Sequence, residues 1–143
     1  MEVRNVPKII IARSDSIAKI FHDAYFKTLK GLDLEQECFM VALLDGKNEP
    51  IKVEVLAIGT PTGTHINGRR IFRFALMNNA SSVILGHNHP SGRLVYSSED
   101  KKLTRMMVEA GENLSIPVLD HIVFSTENKE ELKFKSFNDE GLL

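Results

Sequence analysis

A single layered domain of mixed class, α/β or α+β, is the fold this sequence predicts, and three observations carry the prediction. Apolar runs of strand length alternate with stretches whose apolar residues recur at helical spacing. The 143 residues match the size of one ordinary domain. No internal repeat and no linker-like stretch divides them.

The elements follow in order. Ser14 reads as an N-cap, with Ile17, Ile20, Phe21, Ala24 and Leu29 at helical spacing and Gly31 as the stop. The continuous apolar run from Cys38 to Leu44 predicts a strand buried on both faces. Asp45-Gly46-Lys47-Asn48 supplies turn chemistry, and Ile51 to Ile58 predicts the second arm of an antiparallel hairpin. After a loop over Gly59 to Thr64, Asn67 caps a helix through Asn78, with Ile71, Phe74, Ala75 and Leu76 as apolar contacts. Ser82 to Gly86 is a short core strand that delivers the chain into His87-Asn88-His89-Pro90-Ser91-Gly92, which Pro and Gly keep out of a helix. A third helix starts near Ser97 and turns Leu103, Met106, Met107, Ala110 and Leu114 inward. Pro117 ends that segment, Val118 to Phe124 is another strand, and beyond Ser125 the chain becomes polar and weakly patterned.

Composition narrows the function classes. At 43% hydrophobic and 26% charged the chain can bury a core. No apolar stretch approaches the roughly 20 residues that cross a bilayer, and the N-terminus lacks the apolar core of a secretion signal. Cys38 is the only cysteine, which fits a reducing cytoplasm and excludes both an intrachain disulfide and a thiolate-rich structural zinc site. Any metal must therefore be held by nitrogen and oxygen. A net charge of −1, from 18 basic and 19 acidic residues, does not advertise DNA binding. Arg69, Arg70 and Arg73 read as a solvated helix face.

The chemistry concentrates in His87 to Asp100. His87 and His89 are two residues apart, so on extended backbone both imidazoles point to one side. Asp100 follows eleven residues after His89, in the first turn of a predicted helix, where a returning loop can bring its carboxylate to the same point. Two histidines, one carboxylate and an open position make a catalytic zinc arrangement. Ser97-Ser98-Glu99-Asp100 also reads as an ordinary helix start, with Ser97 as N-cap and Asp100 near N3, so that pair has an explanation without metal. Two other nucleophile readings carry less weight. Ser97 lacks a nucleophile-elbow setting for a Ser-His-Asp triad, and Cys38 sits in an apolar run that disfavours a thiolate.

His87-x-His89, seven residues, Ser97, two residues, Asp100 is the His-x-His-x7-Ser-x-x-Asp signature of the JAMM/MPN metalloproteins, a family this chain resembles. Gly86 to Gly92, Val118-Leu119-Asp120-His121, Gly59-Thr60 and Arg69 to Leu76 resemble the bacterial RadC branch in particular. The resemblance runs from roughly Ser14 to Ser125. It sets residues 1–13 apart as an extension, 14–125 as a RadC-like domain and 126–143 as a polar tail.

It implies a JAB/MPN-type fold, a cytidine-deaminase-like central mixed β-sheet flanked by helices. It also implies one zinc per chain on His87, His89 and Asp100, although nitrogen/oxygen sites accept other divalent ions. The implied activity is that of a peptidase or isopeptidase in which zinc-bound water attacks an amide carbonyl. Glu37, immediately before the strand from Cys38, occupies the place of the family's general base, with Glu35, Glu49 and Glu54 as competitors. Ser97 would steady the oxyanion. Asp120 or His121 would orient a ligand histidine, and since adjacent strand residues face opposite sides only one of them can. His65 is a further neighbour with a structural role as the heavier reading, and His22 is incidental.

The alternative is a metal-containing module associated with DNA repair, or one that recruits a protein, without hydrolysis. Two departures from the RadC pattern bear on it. Few residues precede the first helix where RadC proteins carry a helix-hairpin-helix region, which weakens an inherited DNA role. Arg70 stands where an acidic residue is common, a change expected to touch only the surface.

Overall fold

The computed structural model describes residues 2–3, 13–30, 36–59 and 66–143. Among these residues the elements follow in order: β1 (Glu2–Val3), α1 (Ser14–Thr28), β2 (Cys38–Leu44), β3 (Pro50–Ile58), α2 (Gly68–Met77), β4 (Ser82–His89), α3 (Ser98–Leu114), β5 (Val118–Ser125) and β6 (Phe134–Ser136). The strands form one mixed sheet in the order β1-β3-β2-β4-β5-β6. Among the described residues only β4 and β5 run parallel, and helix α3 makes the crossover between them that parallel neighbours require.

The continuous apolar run of β2 has its cause in this order. β2 lies inside the sheet with helices on both faces, so all seven of its residues are buried. Met40, Ala42 and Leu44 join α1, through Ile17, Phe21 and Tyr25, in one core. Phe39, Val41 and Leu43 join Ile71, Phe72 and Met107 of α2 and α3 in the other. The predicted hairpin forms, with Val41 across from Glu54 and Asn48 at the turn in left-handed conformation (φ 61°). Asp45 Oδ1 closes that turn by accepting from the backbone N–H groups of Lys47 and Glu49.

Several local expectations change. Ser14 does not cap α1: Arg13 holds the N-cap position, and the Ser14 hydroxyl donates instead to Asp139 near the C-terminus. The helix ends at Thr28, and the expected stop at Gly31 lies outside the described residues, as does most of the loop expected over Gly59 to Thr64. Asn67 caps α2 as expected, its Oδ1 accepting from Arg70 N at 3.1 Å. That helix buries Phe72 rather than Leu76, which is 58% exposed. On α3, Leu103, Met107 and Ala110 pack inward as expected and Thr104 and Gly111 are buried beside them, while Met106 and Leu114 are exposed. β4 continues three residues past Gly86 and carries both histidines on strand backbone. Past β5, β6 pairs with it and Phe137 is buried. Arg69, Arg70 and Arg73 are exposed along α2, and the Arg70 guanidinium donates to the Leu56 carbonyl of β3.

Gly86 sets how closely α1 approaches the sheet. A Cβ there would lie 2.6 Å from ring carbons of Phe21, which stacks on Phe124. Overpacking costs about 1–3 kcal/mol, more than the roughly 0.4–1 kcal/mol that alanine gains by stiffening the unfolded chain. Gly86→Ala is therefore expected to lower the urea midpoint without changing the slope. An unchanged midpoint would show that Phe21 moves aside freely.

Candidate metal centre

The site forms where β4 ends against the start of α3. Alternation along β4 places Val83, Leu85, His87 and His89 on the α2/α3 face, and Gly86 and Asn88 on the other. His87 Nε2 and His89 Nε2 face each other at 3.0 Å. Asp100 enters from the first turn of α3, its Oδ1 3.3 Å from His87 Nε2 and its Oδ2 3.9 Å from His89 Nε2. One donor atom from each of the three residues falls within 4.8 Å of the others, making a compact pair of nitrogens and an oxygen.

The helix-start and metal readings of Asp100 turn out to be compatible. Asp100 Oδ2 accepts from Ser97 N at 2.9 Å, and Ser97 Oγ accepts from Asp100 N at 3.0 Å, a reciprocal capping box. Oδ1 is left to face His87 Nε2. Burial by itself would raise the Asp100 carboxyl. The hydrogen bond and charge of His87, with the bonds from Ser97, outweigh that and hold it well below the usual carboxylate range. At neutral pH it is an anion ready to act as a ligand. Ser97 is exposed at the rim, and with its oxygen engaged in the cap its O–H is still available to donate.

Each imidazole has its other nitrogen engaged. His89 Nδ1 lies 2.6 Å from the Arg93 carbonyl, which can only accept, so Nδ1 carries the proton and Nε2 the lone pair. His87 Nδ1 lies 2.8 Å from His121 Nε2, and His121 Nδ1 lies 2.7 Å from the hydroxyl of Thr104. That hydroxyl donates to the Asp100 carbonyl at 2.6 Å. Burial, then the nearby positive charge of His87, pushes the His121 pKa far down, so this ring is neutral. Its plane is set by stacking on Phe137 at 4.9 Å and by the edge contact of Phe39 at 5.8 Å.

Of the two adjacent candidates, His121 faces the site and Asp120 does not. Asp120 accepts from the Ser136 hydroxyl and from Asn138 N, tying down the C-terminal segment. Glu37 is half-buried immediately before β2, and its carbonyl accepts from Gly59 N at 2.9 Å. Phe39 lies across from His87, and alternation puts Glu37, two residues before it, on the same face as Phe39. Glu49 sits at the hairpin end of β2, away from the histidines, and Glu54 is in the middle of β3. Glu35 and His65 lie outside the described residues. His22 is buried beside Phe26 and Phe124 on the α1 side. Burial pushes the Cys38 thiol up to about 12, which removes it as a nucleophile.

Three contributors escape sequence reasoning. Thr104 looks like a polar residue on an amphipathic helix, and Phe137 falls in the weakly patterned tail. Asn88, completely buried between the histidines, points to the opposite face. Its Oδ1 accepts from Cys38 N at 2.6 Å, and its Nδ2 donates to the Gln36 carbonyl at 3.1 Å and to Thr126 Oγ1 at 2.9 Å. The two residues flanking Glu37 are thereby clamped to the histidine strand. An asparagine between two histidines was the available signal, and nothing in its spacing identified its partners.

A mixed sheet between helices, with two strand-end histidines and a helix-start carboxylate, is the layout expected of a JAB/MPN-type metalloprotein. The chain belongs to the RadC-like JAB domain family, whose model matches residues 11–142. It is 37% identical over 131 residues to a UPF0758 protein of Microcystis aeruginosa, covering 91% of this chain and 51% of that protein. It is 40% identical over 111 residues to a UPF0758 protein of Desulforamulus reducens, covering 78% and 47%. A UPF0758 protein of Symbiobacterium thermophilum is 42% identical over 112 residues, covering 78% and 45%. The chain thus spans about half the length of the curated relatives it matches. No helix among the described residues is long and apolar enough to cross a membrane.

Proposed function

We propose that this chain is a zinc-dependent amide hydrolase, a peptidase or isopeptidase, whose ion is held by His87, His89 and Asp100. The observation that carries the reading is the convergence of the three donor atoms while both Nδ1 atoms are bonded elsewhere. Two imidazole nitrogens and one carboxylate oxygen are the donor set of a catalytic zinc site with a position left open. Bound there, zinc would polarise a scissile carbonyl and lower the pKa of a coordinated water toward about 7.

The remaining steps belong to the chain. Glu37, on the same face at the strand end, takes a proton from the attacking water and returns it to the departing amine. The Ser97 O–H donates to the oxyanion as the carbonyl carbon becomes tetrahedral. Ser97, Ser98 and Glu99 are exposed at the rim, the side from which a peptide or protein segment would approach.

Metal analysis after equilibration with a zinc salt and dialysis is the first test, with about one zinc per chain expected for this ligand set. Screening against peptide and isopeptide libraries should then give cleavage that a chelator abolishes and zinc restores. A wild-type protein that retains no metal would overturn the reading.

A further inference from the structure

The metal reading leaves open what decides which nitrogen of His87 carries its proton. His89 has a backbone carbonyl at Nδ1, which settles the matter for that ring. His87 meets another imidazole instead, and an imidazole can either give or accept.

The answer lies two partners away. Thr104 has one hydroxyl proton and two neighbours, the Asp100 carbonyl and His121 Nδ1. A carbonyl cannot donate, so the Thr104–Asp100 bond uses that proton. The Thr104 oxygen then accepts from His121 Nδ1–H. A neutral ring protonated at Nδ1 offers a lone pair at Nε2, which accepts from His87 Nδ1–H at 2.8 Å. His87 thus keeps a proton on Nδ1, and Nε2, the atom facing His89 and Asp100, is the one a metal ion can take. The reverse arrangement has Thr104 donating to His121, His121 to His87, and a proton on His87 Nε2. It gives up the Thr104–Asp100 bond and closes the metal position. The Thr104–Asp100 bond is kept only when the relay leaves a proton on His87 Nδ1.

We propose that Thr104 and His121 are positioning residues that fix His87 in the tautomer able to bind a metal ion. This rests on the metal reading above and deepens it. The relay begins at the backbone of Asp100 and ends at the ring of His87, so two of the three ligands are joined through it. His121 and Thr104 are both buried, which shields the chain of bonds from exchange with water. Phe137 stacked on His121 keeps the ring from turning out of line.

The test combines ring nitrogen-15 NMR of the histidines with zinc titration in competition with a chelator. In metal-free wild-type protein, the spectra should show Nδ1–H on both His87 and His121 and an unprotonated Nε2 on His121. That readout does not depend on metal binding, so failure of the relay and failure of the metal reading are distinguishable. Nε2–H on His121 would overturn the relay. Thr104→Val keeps the shape but removes the hydroxyl; it is expected to weaken zinc binding about 10–100-fold, the usual effect of losing a partner behind a ligand. Thr104→Ser restores the hydroxyl and should restore both the affinity and the ring signals. A folded Thr104→Val protein with wild-type affinity would also overturn the proposal. If Thr104→Val fails to fold, the wild-type spectra and the serine variant decide it.

Discussion

Asp100→Asn is expected to abolish stoichiometric zinc binding while leaving the fold intact. The two carboxylate oxygens perform separate tasks, Oδ2 capping α3 through Ser97 N and Oδ1 facing the histidines. Asparagine retains an oxygen that can accept from Ser97 N, so the capping box survives in part, but it cannot supply an anionic ligand. Losing a partner behind a ligand costs about 10–100-fold in affinity, so losing the ligand itself should cost more than about 100-fold. His87→Ala should match it in metal content, since two donors remain in either case. Asp100→Ala additionally forfeits the hydrogen bond from Ser97 N, worth about 0.5–1.5 kcal/mol. Comparing the melting temperatures of the Asn and Ala variants therefore separates the capping role from the metal role. Wild-type zinc content in Asp100→Asn after dialysis against chelator would remove Asp100 from the ligand set.

Glu37→Gln is expected to hold zinc as tightly as wild type and to lose amide cleavage by about 10²–10⁴-fold, the usual contribution of a general base. The substitution is nearly isosteric, and Glu37 is not among the three converging donors. Its placement does not depend on its own side chain, because Asn88 grips the backbone on either side of it, at Gln36 and Cys38. What changes is the ability to take a proton. Single-turnover cleavage by matched zinc-loaded samples makes the comparison independent of metal content. Undiminished cleavage would assign the base to another group.

How much of this was legible beforehand can be seen element by element. β2 was readable because a strand covered on both faces must be apolar throughout. The hairpin was readable because turn chemistry at Asp45 to Asn48 is local. The inward face of α3 was readable at Leu103, Met107 and Ala110, whereas apolarity alone does not show that Met106 and Leu114 face solvent. Thr104 turns inward to bond His121, and Gly111 because a Cβ there would lie 2.5 Å from the Ile116 carbonyl. Ser14 has the residue type of an N-cap, yet its hydroxyl finds Asp139, 125 residues away.

The metal candidates divide along the same line. By itself the sequence determined that His87 and His89 share one side of extended backbone, the helix start that presents Asp100, and the spacing that unites them. Tertiary structure decided the rest: His121 rather than Asp120 beside His87, Thr104 behind His121, Phe137 against its ring, and Asn88 clamping the approach of Glu37. Periodicity tells a residue which side of its own element it occupies. Which other element waits on that side follows from the sheet order β2-β4-β5-β6, a property of the packed domain that no spacing along the chain records.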